Sequence, residues 1–402
     1  MLPAGALALL GAQLLPPAAL AQEDPRIDQL QQQIEALQRQ LDDLRGEVEN
    51  RMPPPPERPP QAPGEPVISG NDQIRVSISG QVNRALLVSE DGDQTKLFFV
   101  DNDNSSSRVH IAGEGEINED LSAGAVLEVE LQSNSTQQVS QDDESTGSAT
   151  FQDRRVEVYF DSDRFGRLWL GQGHTASDNT AEVDLSGTAV VGTSDLPDFA
   201  GGLEFVDDGE LSDVSIGDAY NNFDGLSRDD RLRYDTPSFG GFKLSASAVS
   251  DSNFDVAGFY ASAFGGTKVA GAAAFASNAG DFQQVDGSAS MLLAGGFNVT
   301  AAAGWRDFDD GGRDDGRYVY GKLGYLFEAF AIGATALAVD AYYGEDVGAE
   351  GDEATMVGLL AVQTVDPIAT DLYFGYRHFD LSRDGADFDP INAVLSGARV
   401  KF

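Results

Sequence analysis

Residues 231–242 read RLRYDTPSFGGF. In Arg231-Leu232-Arg233-Tyr234-Asp235 polar and apolar side chains alternate without a miss, and a short connection, Pro237–Gly241, follows. A period of two places successive side chains on opposite faces of a strand. One face of this strand therefore carries Arg231, Arg233 and Asp235, and the other carries Leu232 and Tyr234. The pattern recurs along the chain. Arg155, Glu157 and Tyr159 oppose Val156, Val158 and Phe160; Arg108, His110 and Glu114 oppose Val109 and Ile111; Leu372, Phe374 and Tyr376 oppose Tyr373 and Arg377. Strands with one face in lipid and one in water alternate in this way. So do the strands of a soluble sandwich, so the period alone does not choose between them.

The connections choose. Sixteen strands, an even number, can be placed between residues 74 and 402. Every second connection is short: Asn118–Asp120, Asp161–Phe165, Pro237–Gly241, Gly265-Gly266, Ala294–Gly296, Glu328-Ala329 and a turn at Asp366-Pro367. The others are mostly longer and acidic, among them Ser89–Ser106, Asn134–Asp153, Phe308–Gly316, Gly344–Asp352 and Leu381–Asp389. Short turns at one end and long loops at the other predict an all-β fold, a sixteen-stranded antiparallel transmembrane barrel over residues 71–402. Even parity puts both barrel ends on the short-turn, periplasmic side. Tyr318, Tyr325, Phe327, Tyr342 and Tyr343 lie near strand ends, where a barrel carries its aromatic girdles.

One connection is far longer than the rest, about 174–228, and it is rich in acid, including Asp178, Glu182, Asp184, Asp195 and Asp198. A loop of that length in a compact domain is usually functional. Sixteen strands leave a lumen wide enough for water. Folded inward, this loop narrows the lumen and lines it with negative charge; left outside, it is an ordinary acidic surface loop.

The N-terminal 70 residues are of another kind. Residues 1–21 read as a secretory signal peptide, with apolar runs Ala4–Leu10 and Leu14–Leu20 and an Ala19-Leu20-Ala21 cleavage site, although no Lys or Arg precedes Arg26. Within residues 22–51, Ile27, Ile34, Leu41 and Val48 occupy heptad position a, and Leu30, Leu37 and Leu44 occupy d. That spacing predicts a coiled coil, about 33 Å of periplasmic helix. Residues 52–70 form a linker. Eight of the chain's 16 prolines fall between Pro53 and Pro66, which predicts a semi-rigid spacer.

Composition excludes several functions. The 402 residues carry 66 Asp+Glu against 26 Lys+Arg, a formal net charge of −40, and no cysteine. A polyanion repels nucleic acid, and neither a disulfide framework nor a Cys-based zinc site can form. The three histidines, His110, His174 and His378, lie in no nucleophile-elbow or zinc-protease motif, so no enzyme and no catalytic residue is expected. The acidic segments Asp307–Asp315 and Asp101–Asn104 lack the full ligand spacing of a calcium loop. No cofactor is expected; the one ion considered is loosely bound Ca2+ bridging loop carboxylates to lipopolysaccharide phosphates.

Several segments resemble Gram-negative general porins. RLRYDTPSFGGF (231–242) is similar to their sixth strand and turn, FGRLWLGQ (165–172) to their fifth strand, and RVHIAGEGEINE (108–119) to their second strand and first turn. LPDFAGG (196–202) looks like the LPEFGG stretch of their inward-folded third loop, and GQVNRALLV (80–88) resembles the first strand of alphaproteobacterial porins. Phe402 matches the terminal aromatic that barrel-assembly machinery recognises. The resemblance implies a homotrimer of outer-membrane barrels passing small hydrophilic solutes by passive diffusion. It implies a constriction in which Asp195, Asp198, Asp184 and Glu182 of the loop face wall arginines Arg108, Arg155, Arg231 and Arg233. Gln81 stands where a lysine is common, so the cationic ladder is incomplete. The coil and spacer are similar in architecture to those of phosphate-selective and dicarboxylate porins. Three functions remain: a general diffusion channel, a selective anion channel, and an envelope-tethering or adhesive barrel. The loop carries more acid than the wall carries visible base, which predicts a weak cation preference.

Overall fold

The computed structural model describes residues 74–145, 150–309 and 311–402. The expected signal peptide, coiled coil (Ile27 to Val48) and proline spacer lie outside the described residues.

The described chain is almost entirely strand. In order it forms β1 (Arg75–Glu90), β2 (Thr95–Asp101), β3 (Arg108–Glu116), β4 (Leu121–Gln132), β5 (Thr150–Ser162), β6 (Gly166–His174), β7 (Glu204–Asp207), β8 (Glu210–Ser215), β9 (Arg228–Asp235) and β10 (Phe242–Val249). It continues with β11 (Phe254–Phe264), β12 (Thr267–Asn278), β13 (Phe282–Leu292), β14 (Phe297–Phe308), β15 (Gly316–Phe330), β16 (Gly333–Glu345), β17 (Glu353–Val365), β18 (Thr370–Ser382), β19 (Phe388–Asp389) and β20 (Ile391–Lys401). Two single-turn helices, α1 (Pro197–Ala200) and α2 (Ile216–Ala219), lie in the long connection between β6 and β9.

Seventeen of these segments make one antiparallel sheet that closes on itself where β1 pairs with β20, from Gln81↔Lys401 to Glu90↔Asn392. β2 and β3 both pair with β1, one along Arg84–Glu90 and the other along Arg75–Gln81. They are two halves of one barrel strand, so the barrel has sixteen strands. Here the structure corrects the expectation of a long loop over Ser89–Ser106. β1 runs on to Glu90, a four-residue turn at Asp91–Gln94 follows, and β2 returns at once. The polar run that suggested a loop is an interruption within the strand, Asn102–Ser107.

Alternation decides what each face meets. On β9, Leu232 and Tyr234 stand outward and exposed, whereas Arg231 and Asp235 point inward and are buried. The outer surface is apolar around the wall, with Val82, Leu86, Val156, Val158, Leu244, Val256, Leu323, Val339 and Leu359 exposed. Tilted aromatic pairs, Phe242–Tyr260 at 4.4 Å and Phe297–Tyr325 at 4.6 Å, sit beside short turns as girdle residues do. Tyr325 and Tyr343 face outward, but Tyr318 and Tyr342 do not belong to a girdle. They have inward parity, are buried, and stack on each other with centroids 5.6 Å apart. At the end of the chain, Phe402 and Gly80 exchange both backbone hydrogen bonds, at 2.8 and 2.9 Å. A Cβ on Gly80 would lie 2.7 Å from the Phe402 ring, so the terminal aromatic needs the missing side chain.

The hydrophobic core lies inside the barrel. Phe199, Leu203, Phe205, Ile216, Tyr220 and Phe223 of the long connection pack on Leu87, Phe98, Val100, Met356, Leu360, Phe379 and Leu395 of the wall. Among the described residues no helix is long and apolar enough to cross a membrane.

Candidate functional site

The long connection, residues 175–227, is folded into the lumen and held to the inner wall. It starts at the mouth of β6, where the backbone N–H of Ala176 donates to Ser247 Oγ at 2.7 Å and that of Ser177 to Asp255 at 2.9 Å. Its backbone then uses the serine row of β13: Val183 N–H donates to Ser288 Oγ (2.8 Å) and Leu185 N–H to Ser290 Oγ (2.9 Å). Lys322 on β15 donates to Asp184, Thr188 and the Gly192 carbonyl, and Arg377 on β18 donates to the Thr193 carbonyl. The return limb is tied by Tyr220, whose hydroxyl donates to the carbonyls of Thr355 and Asp380. Its hairpin, β7–β8, adds β19 as a third strand. Small hydroxylated residues on the lumen faces of β10 and β13 leave room for loop backbone and supply its acceptors.

The tip of the loop docks on the strand interruption. Asn102 donates to the Val190 carbonyl at 2.8 Å; Asn104 and Thr136 both donate to the Asp198 carbonyl, at 3.1 and 2.7 Å; Gln137 donates to the Asp198 carboxylate at 2.6 Å. Gly202 is required at the same contact, because a Cβ there would lie 2.4 Å from the Val139 carbonyl oxygen. The interruption is itself packed from behind. Gln81 donates to the carbonyls of Ser105 and Ser106, and Arg399 donates to Ser105 Oγ at 2.7 Å. Gln81, which stands where a cation was expected, thus props the strand break.

The loop covers the wall from β10 round to β2. The wall left facing it is β3–β5, and its charges are paired among themselves. Arg154 donates to Glu128 (3.0 Å) and Glu130 (3.1 Å), Arg155 to Glu157 (2.5 Å), and His110 lies 3.0 Å from Glu128. Arg108 is the loosest, 4.0 Å from Glu128, with about a quarter of its side chain exposed (27%). The loop rim has no such balance. Glu182, Asp195, Asp198 and Asp224, together with Asp103 from the strand break, form a carboxylate group with no salt-bridge partner among the described residues. Burial pushes Asp103 and Asp195 up to about 6, helped by Glu130 beside Asp103 and by Asp103 beside Asp195, and burial with neighbouring carboxylates raises Asp198, Glu182 and Asp224 well above the usual carboxylate range. No group of three or more acidic or histidine side chains among the described residues could hold a metal ion.

The structure divides the residues singled out from sequence. Glu182, Asp195 and Asp198 lie at the rim, and Arg108 and Arg155 lie on the wall opposite it. Arg231 and Arg233 are elsewhere. Arg231 is almost wholly covered, bonded to Glu157 and to the carbonyls of Gly171 and His174; Arg233 donates to the Thr175 carbonyl at 2.7 Å and to Asp235 at 2.8 Å. Both clamp the base of the loop. Asp184 faces the wall, where Lys322 holds its carboxyl below the usual range against the opposing effect of burial. Arg154, Lys322, Arg377 and Asp103 were not singled out. The adjacent pair Arg154-Arg155 was the available signal: strict alternation would put one guanidinium in lipid, and a bulge between Glu128 and Val129 turns both inward.

A lumen closed by sixteen strands, lined by charge and narrowed by an inward loop, invites comparison with known proteins. A sequence profile of the Gram-negative porins matches residues 64–384. The chain belongs to the Gram-negative porin family. This porin shares its fold with several solved structures. One is an anion-selective porin from Comamonas acidovorans, 18% identical over 82% of this chain and 100% of that one, with a TM-score of 0.54. Another is OmpT, an outer membrane protein of Vibrio cholerae, 15% identical over 84% of this chain and all of the other, TM-score 0.55. A third is the outer membrane channel DcaP of Acinetobacter baumannii, 12% identical over 84% and 100%, TM-score 0.54. No curated protein matches the sequence. Family and fold are those of outer-membrane diffusion channels.

Proposed function

We propose that this porin forms a water-filled channel through which small hydrophilic solutes and ions diffuse passively, with a preference for cations. One observation carries the reading: the rim carboxylates have no salt-bridge partner among the described residues, and Asp103 and Asp195, near 6, ionise by neutral pH, while most of the wall arginines opposite them are matched by wall carboxylates. The field across the gap is therefore set by the loop. Low-dielectric walls focus such a field and enrich counter-ions between them. Polar solutes keep their orientation and hydration in passing, whereas apolar ones lose oriented water. The porin acts as a homotrimer, one pore per barrel, with its long loops outside the cell and its N-terminal coil in the periplasm.

Planar-bilayer recording of the purified protein tests the reading. Stepwise conductance increments in KCl, in groups of three, are expected. Absence of steps would remove the channel reading and leave an envelope-tethering barrel. Arg108, the least neutralised of the wall arginines, favours a second reading, a selective anion channel. Saturable block of KCl current by phosphate or succinate, lost in Arg108→Ala, would establish that reading instead.

A further inference from the structure

Arg377 is the largest fully buried side chain among the described residues, and the resemblance to known porins gives it no role. From β18 its guanidinium lies beneath the loop. Nη2 donates to the Thr193 carbonyl and to Asp340, both at 2.7 Å, and the Phe199 ring centroid is 5.1 Å away. The loop backbone presses on it, because a Cβ on Gly192 would lie 2.7 Å from Nη2. Yet Nε and Nη1 have no hydrogen-bond partner among the described residues, although the residue is 0% exposed. Unmet donors on a buried cation are costly, and a wall built for stability alone would place an apolar residue there.

Two residues beyond Thr193 the loop presents Asp195 to the lumen. Several groups face this carboxylate. Asp103 approaches from the strand break, Asp198 and Glu182 belong to its own loop, and Tyr342 lies on β16. Arg377, paired with Asp340, which also accepts from the Tyr320 hydroxyl, is the one cation among the described residues acting on it.

We propose that Arg377 is a positioning residue of the constriction: it seats the loop at Thr193 and places its charge beneath the rim segment that carries Asp195. A buried arginine thereby supports cation preference. Its own charge is hidden behind the loop and balanced by Asp340, while the Asp195 carboxylate faces the permeating ion. The proposal rests on the cation-preferring channel described above.

The test is the reversal potential of the full-length porin in a KCl gradient, recorded from pH 4.5 to 8. The wild-type cation preference should fall as pH drops through about 6, where Asp195 takes up its proton. In Arg377→Met the midpoint of that fall should move upward by roughly one pH unit, the effect of losing a nearby opposite charge. Arg377→Lys, which keeps the charge, should stay near wild type. Asp340→Asn leaves the guanidinium charge unshared and should move the midpoint downward; it reads the same coupling if Arg377→Met does not assemble. A role confined to seating the loop would change step size without moving the midpoint. Midpoints of Arg377→Met and Asp340→Asn that coincide with wild type would overturn the proposal. A wild-type channel with no cation preference at any pH would overturn the proposed function with it.

Discussion

Lys322 gives the sharpest test of how the loop is held. Its ammonium is fully buried and directs its donors at the loop: the Gly192 carbonyl at 2.6 Å, Asp184 at 2.7 Å and Thr188 Oγ1 at 3.1 Å. Lys322→Met keeps most of the stem and deletes the charge. Asp184 is then left covered, with only Ser186 and Thr300 among the described residues to donate to it. Removing one partner of a buried ion pair costs about 3–5 kcal/mol. At 1.4 kcal/mol per decade, that is on the order of a hundredfold to a few thousandfold more displaced loop. The sixteen strand ladders do not depend on this contact, so the loss should fall on the loop. The variant is expected to assemble as a normal barrel, to show new flickering closures in single-channel records, and to be cut within residues 175–227 by added protease. Adding Asp184→Asn removes the stranded charge and should recover much of the wild-type behaviour. Lys322→Met with wild-type current noise and wild-type protease resistance would refute the reasoning.

Three further outcomes follow from the same geometry. Arg154→Gln removes the guanidinium that Glu128 and Glu130 share and should move the reversal potential further toward that of K+; an unchanged potential would remove Arg154 from the lumen electrostatics. Gly202→Ala forces a Cβ to within 2.4 Å of the Val139 carbonyl and should shift the loop tip at a cost of about 1–3 kcal/mol, read as a changed unit conductance. The pH dependence of loop seating has a definite sign. Asp103 and Asp195 sit near 6 in the folded state, above the ordinary aspartate value of 3.8. The folded state therefore binds more protons between those values, and seating should strengthen as pH falls from about 6 toward 4. Fewer loop closures at pH 5 than at pH 7 are expected in single-channel records.

The barrel was legible because membrane strands write the solvent on each face into the sequence. Leu232 and Tyr234 face lipid, and Arg231 and Asp235 do not. Where the code failed, the lumen was not polar. Phe98 and Val100 of β2 point inward onto the loop, while Leu97 and Phe99 point outward. Apolar on both faces, β2 carries no period of two and was absorbed into an expected loop. Tyr318 and Tyr342 looked like girdle residues for the same reason: the loop turns part of the inner wall into a hydrophobic core. The acids of the rim could be read from composition, but the fate of each arginine could not. Whether Arg108 faces the pore freely or Arg231 is locked under the loop depends on which carboxylate the neighbouring strand brings into register. Arg154 depends further on a bulge. These are long-range pairings, set by the closed sheet rather than by local spacing.

The rim carboxylates that ionise by neutral pH, Asp103 and Asp195, and not the neutralised wall, set the field in the pore. The zero-current potential of the wild-type channel across a KCl gradient at pH 7 measures this directly. The sign of a cation-preferring pore is expected at low salt, with the potential shrinking toward 1 M KCl as the screening length falls to about 3 Å. A potential of the opposite sign, or one indifferent to ionic strength, would contradict it.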